Sequence, residues 1–248
     1  MIWLILAAAG FGAGVINAIA GGGSLLSFPA LLLTGMGSVA ANATNTLAVW
    51  PGTVASTWAY RKIIGEERRR ALLLAAPSAI GGLAGSWVLL HTSQKVFDEV
   101  VPWLILFACA LVAFQVPMGR FVQSHKAKGE GQVPVALWVI QLLVSFYGGY
   151  FGAGMGIVML ATMGVLLPGS LQHANGLKLI CSLIINGVAA LYFLGMGTAS
   201  LPHAALMALA SIAGGWAGAH LAQRLPAGIM RTVVVSYGVI LAVVLMRK

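Results

Sequence analysis

The feature that most constrains this chain is a repeated pattern of small residues within a strongly apolar sequence. A shift of 133 positions places Ala-Gly-x-Gly at residues 20–23 over the same pattern at 153–156. The same shift places Gly-Gly-x-Ala-Gly at 81–85 over an identical pattern at 214–218. Chance produces scattered matches in a chain with 32 glycines, but not a five-residue pattern in the same register. The sequence therefore predicts two copies of one helical unit, an organisation found in many membrane carriers.

The composition places both copies in a lipid bilayer. The chain of 248 residues is 60% hydrophobic and only 8% charged, whereas a soluble domain carries about 25% charged residues. The acidic residues all lie in three short polar stretches, at Glu66 and Glu67, at Asp98 and Glu99, and at Glu130. We therefore expect an all-α polytopic membrane protein, in which the bilayer thickness sets the helix lengths.

The net charge of +9 does not indicate a nucleic-acid partner. The basic residues sit at the ends of the apolar segments, where they orient helices and meet anionic lipid. The expected partners are therefore the lipid bilayer and a small solute, without nucleic acid.

Ten apolar segments follow one another along the chain, and two of them are short. The short segments, 24–35 and 156–168, occupy equivalent places in the two copies, and each follows a glycine-rich break. Each copy thus has four long spans and one short segment, and paired short segments are the best sequence indication of a transporter binding site. The predicted boundaries are an N-terminal repeat at 1–118, a polar linker at 119–133 and a C-terminal repeat at 134–248. The ten segments are 2–20, 24–35, 40–60, 71–91, 99–118, 134–151, 156–168, 173–195, 203–223 and 228–246.

The distribution of lysine and arginine leaves two topologies open. The most basic loop, 61–70, is expected in the cytoplasm, which puts the central linker there as well. If the short segments cross the membrane, the chain makes ten crossings and the copies are inverted, with Arg224 and Arg231 inside. If the short segments only dip into the membrane, eight full spans remain and the copies are parallel, with Arg247 and Lys248 inside instead. We favour the inverted arrangement, because two broken helices then face each other across the midplane.

The two glycine breaks are the first candidates for a binding site. A helix that begins at Ser24 leaves its first N–H groups free at the positive end of the helix dipole. Such a terminus binds anions, and glycine lets a ligand approach the backbone. The alternative is that the glycines only allow close helix packing. We favour packing for 81–85 and 214–218, and anion binding for the breaks themselves.

Each copy also carries two polar residues just after its short segment. Asn42 and Asn45 in the first copy correspond to Asn175 and Lys178 in the second, and residues three apart share one face of a helix. Lys178 is the only lysine or arginine well inside an apolar segment, and a buried ammonium group marks a function by default. Because the apolar segments hold no carboxylate, we expect its partner to be a ligand anion. The alternatives are that Lys178 extends to the membrane interface and that the asparagines bond other helices.

Motifs for several other chemistries are missing from the sequence. The chain has no Gly-x-Ser-x-Gly, no His-Glu-x-x-His, no phosphate-binding loop that ends in Lys-Ser/Thr and no cysteine pair at metal spacing. The membrane segments offer no pair of carboxylates for acid–base catalysis. We therefore expect neither an enzyme nor a bound cofactor or metal.

Two stretches of sequence resemble the signatures of a known family. Residues 21–29, followed by Gly35 and by Ala-Ala-Asn-Ala-Thr-Asn at 40–45, resemble the N-terminal signature of the sulfite exporter TauE/SafE family. Residues 148–156 and 174–178 resemble the matching second signature. The resemblance implies a bacterial inner-membrane, multi-pass permease, built by duplication, for small sulfur-containing or organic anions such as sulfite, sulfonates and sulfoacetate.

These features together predict a transporter of small organic or sulfur oxyanions, with the substrate held between the two copies near the midplane. A passive anion channel and a non-transporting accessory subunit of a membrane complex are the alternatives, and a homo-oligomer is compatible with the sequence. The residues expected to hold the substrate are Gly21, Gly22, Gly23, Ser24, Asn42, Asn45, Gly154, Gly156, Asn175 and Lys178.

Overall fold

The computed structural model describes residues 1–19, 21–124, 133–221, 236, 239–240, 242–243 and 245–246, with side chains except at 115–124 and 221. All regular secondary structure in these residues is helical, which confirms the predicted all-α class. Glu130, Arg224, Arg231, Arg247 and Lys248, to which the sequence arguments also refer, lie outside the described residues, as does most of the last predicted segment.

The helices follow the predicted apolar segments closely. Within the described ranges they are α1 (Ile2–Ile19), α2 (Ser24–Leu32), α3 (Ser38–Ala59), α4 (Arg61–Glu66), α5 (Arg68–His91), α6 (Gln94–Ser124), α7 (Val135–Tyr150), α8 (Met155–Leu166), α9 (Leu171–Gly195) and α10 (Leu201–Leu221).

Four of these helices, α1, α5, α6 as far as Phe114, and α9, are long and apolar enough to cross a membrane. Large apolar side chains remain exposed along them, for example Leu72, Phe107 and Leu191, and such exposure is stable only against lipid. The chain is a multi-pass membrane protein.

Equivalent helices begin at equivalent positions in the two halves of the sequence. The first residues of α1 and α7, of α3 and α9, and of α5 and α10 are each 133 positions apart. The short helices α2 and α8 begin 131 positions apart, at Ser24 and Met155. The starts of these three pairs of helices therefore keep the offset of 133 that relates the two glycine patterns, and those of α2 and α8 depart from it by two residues.

The glycines at 81–85 and 214–218, which are related by the 133-residue offset, lie where long helices touch. A β-carbon placed on Gly85 would collide with the carbonyl oxygen of Phe146, so α5 and α7 meet backbone to backbone. A β-carbon on Gly214 would collide with the carbonyl oxygen of Phe11, and α10 meets α1 in the same way. Small residues allow such close approach in lipid, where packing supplies much of the association energy. These glycines therefore serve packing, as expected.

The contacts between helices also give their relative directions. Along α1 and α10, and along α3 and α10, residue numbers increase together, so these three helices run in the same direction. The contacts are Gly10 with Met207, Gly14 with Ser211, Gly52 with Ser211, and Gly215 with Ser56.

A second group of helices runs in the opposite direction. Residue numbers increase together along α5 and α7, and along α5 and α9, but run in opposite senses along α3 and α9. The contacts are Gly81 with Leu142, Gly85 with Phe146, Gly82 with Ile185, Ser78 with Cys181, Gly187 with Trp50, and Thr57 with Leu179. Hence α1, α3 and α10 are antiparallel to α5, α7 and α9.

The structure differs from the sequence prediction in one loop. The basic stretch 61–70, expected to be a loop, forms the short helix α4 and the first turn of α5. Ile63 and Ile64 on α4 contact Gly176 of α9, and this apolar underside explains why so charged a segment is helical. Helix α6 also continues to Ser124, into the stretch predicted to be the linker.

Candidate functional site

The two glycine breaks meet at the centre of the bundle. A β-carbon placed on Gly21 would lie only 2.6 Å from the Cα atom of Gly156. Gly21 has φ +77° and Gly154, just before α8, has φ +80°, in the left-handed region that glycine adopts without strain. The main chains of the two breaks therefore lie in direct contact at Gly21 and Gly156.

Glycine also terminates the helix before each break. The Gly21 N–H donates to the carbonyl of Ile16 at 3.0 Å, and the Gly152 N–H donates to the carbonyl of Tyr147 at 3.0 Å. Gly152 likewise has a positive φ, +79°. A left-handed glycine that donates five residues back is a common way to end a helix. Both α1 and α7 therefore end at a left-handed glycine, after which the chain can begin a new helix.

A small polar cavity lies beside the two breaks, between α3 and α9. Its volume is about 20 Å³, which is room for roughly one water molecule. The side chains that supply its polar atoms are Asn17, Ser24, Thr46, Thr53, Ser56, Ser182 and Asn186. Gly21, Gly152 and Gly156 bring backbone to the wall, and Val49, Leu179, Phe151 and Met155 complete it. Interrupted helices are tolerated within a membrane where their backbone is buried or lines such a cavity.

Equivalent faces of α3 and α9 form two of the cavity walls. Thr46 and Leu179, Val49 and Ser182, and Thr53 and Asn186 are pairs of residues 133 positions apart, and all six line the cavity. The spacing within each helix, three and four residues, keeps them on one helical face. The cavity therefore lies at a place that both halves of the sequence build with the same helix face.

The Asn17 side chain accepts hydrogen bonds from two main-chain amides of the first glycine break. Its Oδ1 atom accepts hydrogen bonds from the Gly22 N–H at 3.1 Å and the Gly23 N–H at 2.8 Å. The prediction that the break presents unbonded N–H groups is therefore wrong for these two residues. The side-chain oxygen of Asn17 therefore occupies the position where the sequence predicted a bound anion. Asn17 also lines the cavity.

Lys178 is buried and points toward the same break. Only 1% of its surface is exposed, and its Nζ atom donates to the main-chain carbonyl of Asn17 at 3.2 Å. The alternative that Lys178 extends to the membrane interface is therefore wrong. Among the described residues the ion pairs involve Arg70 and His173 but not Lys178. Lys178 does not line the cavity, although Leu179 beside it does.

The asparagines of α3 hold neighbouring elements in place. Asn45 donates from Nδ2 to the Ser24 hydroxyl at 3.1 Å and accepts at Oδ1 from the Ser27 hydroxyl at 2.5 Å. Asn42 donates from Nδ2 to the carbonyl of Tyr150 at 2.9 Å, at the end of α7. Asn45 thus fixes α2 against α3, and Asn42 ties the first half of the chain to the second.

The structure brings together some of the predicted site residues and separates others. Gly21, Ser24 and Gly156 line the cavity. Gly22, Gly23, Asn45 and Lys178 lie behind the wall, each bonded to Asn17 or Ser24. Gly154 packs against α6 near Leu111, and Asn42 and Asn175 do not line the cavity. The Oδ1 atoms of both asparagines are buried without a described partner.

Several wall residues were not among the sequence predictions. Thr46, Thr53, Ser56, Ser182 and Asn186 supply most of the side-chain oxygen atoms of the cavity. Their signal was present in the sequence. The helical face of Asn42, continued over one to four turns of α3, reaches Thr46, Thr53 and Ser56, and the 133-residue offset then relates positions 49 and 53 to Ser182 and Asn186.

An aromatic cluster closes the cavity on the side where α6 begins. Phe151, in the cavity wall, packs edge to face with Phe28 at a centroid distance of 5.5 Å and with Phe97 at 6.4 Å. All three are nearly inaccessible. They belong to the largest buried cluster of the described residues, so the barrier on this side is thick.

A thinner apolar layer closes the cavity on the side of α4. Leu179, in the cavity wall, packs with Ala18, Tyr60 and Ala219, and Ile63 and Ile64 cover them. Polar contacts hold α4 and its flanks to the first turn of α9 and to the loop before it. They are Tyr60 Oη to Gln172 Oε1 at 3.0 Å, Glu66 Oε2 to His173 Nε2 at 3.1 Å, and Arg70 Nη1 to the Pro168 carbonyl at 3.1 Å.

The chain is similar to known proteins over most of its length. The family model described as "Sulfite exporter TauE/SafE" matches residues 6–245. A "Probable membrane transporter protein" of Haemophilus influenzae is 30% identical over 179 residues, which cover 69% of this chain and 67% of the relative. The "Probable membrane transporter protein ORF9" of a Sinorhizobium species is 28% identical over 243 residues, 95% of this chain and 88% of the relative. The "Probable membrane transporter protein YfcA" of Escherichia coli K12 is 30% identical over 146 residues, 58% and 52% of the two chains.

The family match covers nearly the whole described bundle, including both glycine breaks and the cavity between them. The chain belongs to the sulfite exporter TauE/SafE family.

Proposed function

We propose that this protein is an inner-membrane transporter that moves small organic or sulfur oxyanions, such as sulfite or a sulfonate, through the cavity between its two glycine breaks. The observation that carries the proposal is the meeting of Gly21 and Gly156 beside a polar cavity that is closed toward both sides of the bundle. Broken helices that meet at a closed polar site are the usual substrate site of a secondary transporter. The names of the three relatives support transport as the general activity.

The bundle would then consist of two inverted copies of one unit, residues 1–118 and 134–248, joined by the linker 119–133. The opposite directions of α1 and α7, of α3 and α9, and of α5 and α10 support inversion over a parallel arrangement. The shared cavity-lining face of α3 and α9 supports it as well. In such a protein, rocking one copy against the other opens the central site to each side in turn.

An anion fits the charges around this cavity better than a cation does. No described carboxylate lines the wall, and the Lys178 ammonium group lies just behind it, bonded to Asn17. In a low-dielectric interior a charge acts over several ångströms, so Lys178 attracts an anion without touching it. Ser24, Ser182 and the Asn186 amide supply donors, and Asn17 can release the Gly22 and Gly23 amides to the substrate.

The size of the cavity indicates that the structure represents a closed state. An oxyanion is larger than the roughly one water molecule that about 20 Å³ admits. Loading therefore requires the walls to separate, and the thinner layer of Leu179, Tyr60, Ile63 and Ile64 is the expected gate. The positive-inside rule puts this gate, under the basic helix α4, on the cytoplasmic side.

The experiment that tests the proposal is anion flux into proteoliposomes that contain the purified protein. Sulfite, methanesulfonate, acetate and phosphate are compared, and unlabelled anion on the far side should accelerate uptake of the labelled one. The double variant Ser182→Ala/Asn186→Ala should lose most of the flux, whereas Thr34→Ala, remote from the cavity at the end of α2, should retain it.

Each of the alternatives predicts a different result in the same assay. Flux that does not saturate and shows no exchange would indicate a passive channel. No flux and no anion-dependent stabilisation with any of the four anions would indicate an accessory subunit. Equal flux in the cavity variant and the control would place the pathway elsewhere in the bundle.

A further inference from the structure

Helix α4 and the first turn of α5 carry a surface rich in positive charge. Arg61, Lys62, Arg68 and Arg69 are all exposed, and they lie within nine consecutive residues. The two acidic residues of the same segment are already engaged: Glu67 pairs with Arg70 at 2.8 Å, and Glu66 bonds His173 at 3.1 Å. No described carboxylate forms an ion pair with any of the four exposed cations.

This concentration of charge is unfavourable for the helix that bears part of it. Helix α5 begins with Arg68, Arg69 and Arg70, at the positive end of its own dipole. Cations at this position oppose the dipole, and like charges this close together repel each other. The carboxylate at the start of α5, that of the N-cap residue Glu67, is already paired with Arg70. An external anion would relieve this local cost.

The surroundings of the four cations identify the membrane as the source of that anion. Trp58 is 70% exposed, and the Arg61 guanidinium group lies 5.2 Å from the centroid of its ring. One turn further into α5, Leu72 and Leu73 are also exposed. Tryptophan marks the headgroup level of a bilayer, and exposed leucines beside it mark the start of the hydrocarbon. The cations therefore lie at the depth of lipid phosphates.

The basic surface is a property of only one half of the chain. The positions that correspond to 61–70 at an offset of 133 are 194–203, and they contain no lysine or arginine. The basic surface is therefore not part of the pattern that the two halves share.

We propose that Arg61, Lys62, Arg68 and Arg69 form a binding surface for the headgroups of anionic phospholipids at the membrane face of α4. The apolar underside of α4, Ile63 and Ile64, fixes the helix on α9, so that its charged side remains turned outward. Arg61 and Trp58 form the edge of the surface, and the arginines of α5 form the opposite edge. The proposal does not depend on which solute the protein transports.

The test is lipid binding by the full-length protein, purified in detergent and depleted of lipid. Phosphatidylglycerol or phosphatidylcholine is added in mixed micelles, and bound lipid and thermal unfolding are measured. We expect phosphatidylglycerol to bind at least about tenfold more tightly than phosphatidylcholine. Replacing all four cations with glutamine should remove this preference, and replacing one of them should reduce it by up to about fivefold.

Two further variants separate charge from structure. Arg68→Lys/Arg69→Lys keeps the charge and should retain the preference for phosphatidylglycerol. Lys95→Gln removes an exposed cation at the start of α6 and should leave it unchanged. The thermal unfolding midpoint in phosphatidylcholine reports whether the glutamine variant is folded.

Three results would overturn the proposal. The first is an undiminished preference for phosphatidylglycerol in the folded glutamine variant. The second is an equal loss in Lys95→Gln, which would indicate a general charge effect. The third is equal protection by soluble glycerol phosphate, which would indicate a site for free phosphate esters rather than for lipid.

Discussion

The Lys178 ammonium group donates a hydrogen bond to the main-chain carbonyl of Asn17, 3.2 Å away. The side chain of the same Asn17 accepts from the amides of Gly22 and Gly23. A helix of the second half, α9, is thereby connected to the glycine break of the first half. Asn17 lies in the last turn of α1, where the helix dipole is negative and partly compensates the buried charge. We propose that Lys178 acts on the cavity through Asn17 and through its electric field.

We expect Lys178→Met to abolish most anion transport without unfolding the protein. Methionine keeps the length of the stem but removes the charge that attracts the substrate, so flux should fall by at least about tenfold. Lys178 is in no described ion pair, and burying an unpaired charge carries a large desolvation cost, so removal of this charge is not expected to unfold the protein. The measurements are proteoliposome flux and the amount of protein in the membrane, with Lys95→Met as the matched control. Native flux in Lys178→Met would remove this residue from the site.

Substitutions of Asn17 should separate stability from anion binding. Asn17→Ala leaves the Gly22 and Gly23 amides without their acceptor, and an unsatisfied buried group costs about 1–3 kcal/mol. Asn17→Asp keeps an acceptor for both amides and stays near Lys178, but puts a negative charge in the cavity wall. We expect Asn17→Ala to lower the unfolding midpoint, and Asn17→Asp to remain stable and to lose anion flux.

The outcome that contradicts this expectation is a stable Asn17→Asp protein that carries sulfite or a sulfonate at the native rate. Such a result would mean that the substrate does not pass close to Asn17. Comparison of the two variants in the same unfolding and flux assays makes the distinction direct.

The parts of the fold that the sequence predicts correctly depend on local chemistry. A glycine in the left-handed conformation is a common helix end, and Gly21 and Gly152 mark the ends of α1 and α7. The length of an apolar run then gives the helices, including the short α2 and α8. The burial of Lys178 also followed from its place within an apolar segment.

The parts that the sequence could not predict depend on which groups meet in three dimensions. The hydrogen bonds from the Gly22 and Gly23 amides to Asn17 cannot be predicted from residue spacing, because other acceptors could serve as well. The hydroxyls of Thr53 and Ser56 bond their own helix, at the carbonyls of Val49 and Gly52. Hydroxyls do so on any face of a membrane helix, so a hydroxyl residue alone does not reveal the cavity wall, and only the shared helical face and the 133-residue offset point to it.

The sequence did not predict helix α4, and the reason is a different one. Six residues with two cations and one acid have no intrinsic tendency to form a stable helix in isolation. The helix depends on the contact of Ile63 and Ile64 with Gly176, more than 100 residues away in the chain. Only tertiary packing makes this segment helical.

The contact between the two breaks can be tested with a matched pair of glycine substitutions. Gly21 and Gly35 have nearly the same φ, +77° and +81°. A β-carbon on Gly21 lies 2.6 Å from Gly156, whereas one on Gly35 has no neighbour within 4 Å. Alanine at either position incurs backbone strain, about 1–2 kcal/mol. Only alanine at position 21 also pushes the breaks apart.

We therefore expect Gly35→Ala to lower stability slightly and to retain transport, and Gly21→Ala to lower stability further and to lose transport. The unfolding midpoint and proteoliposome flux of the two variants are compared in the same lipid. Equal effects at the two positions would show that the contact between Gly21 and Gly156 has no role beyond backbone geometry.

Alternating access of the cavity makes a prediction for a cysteine placed in its wall. Ser182 lines the cavity and has no described hydrogen-bond partner, so we expect cysteine to be tolerated at this position. Cys109 and Cys181, both buried, are replaced with alanine, so that the introduced cysteine is the sole thiol. We expect Ser182→Cys to react slowly with a membrane-impermeant thiol reagent from either side of the bilayer, because the closed state seals it with Phe151 on one side and Leu179 on the other. Substrate anion should slow the reaction several-fold by occupying the cavity, whereas a cysteine at the remote position Thr34 should react at the same rate with and without anion. Reaction from one side only, unaffected by any anion, would argue for a cavity that never exchanges sides, and with it against transport through this site.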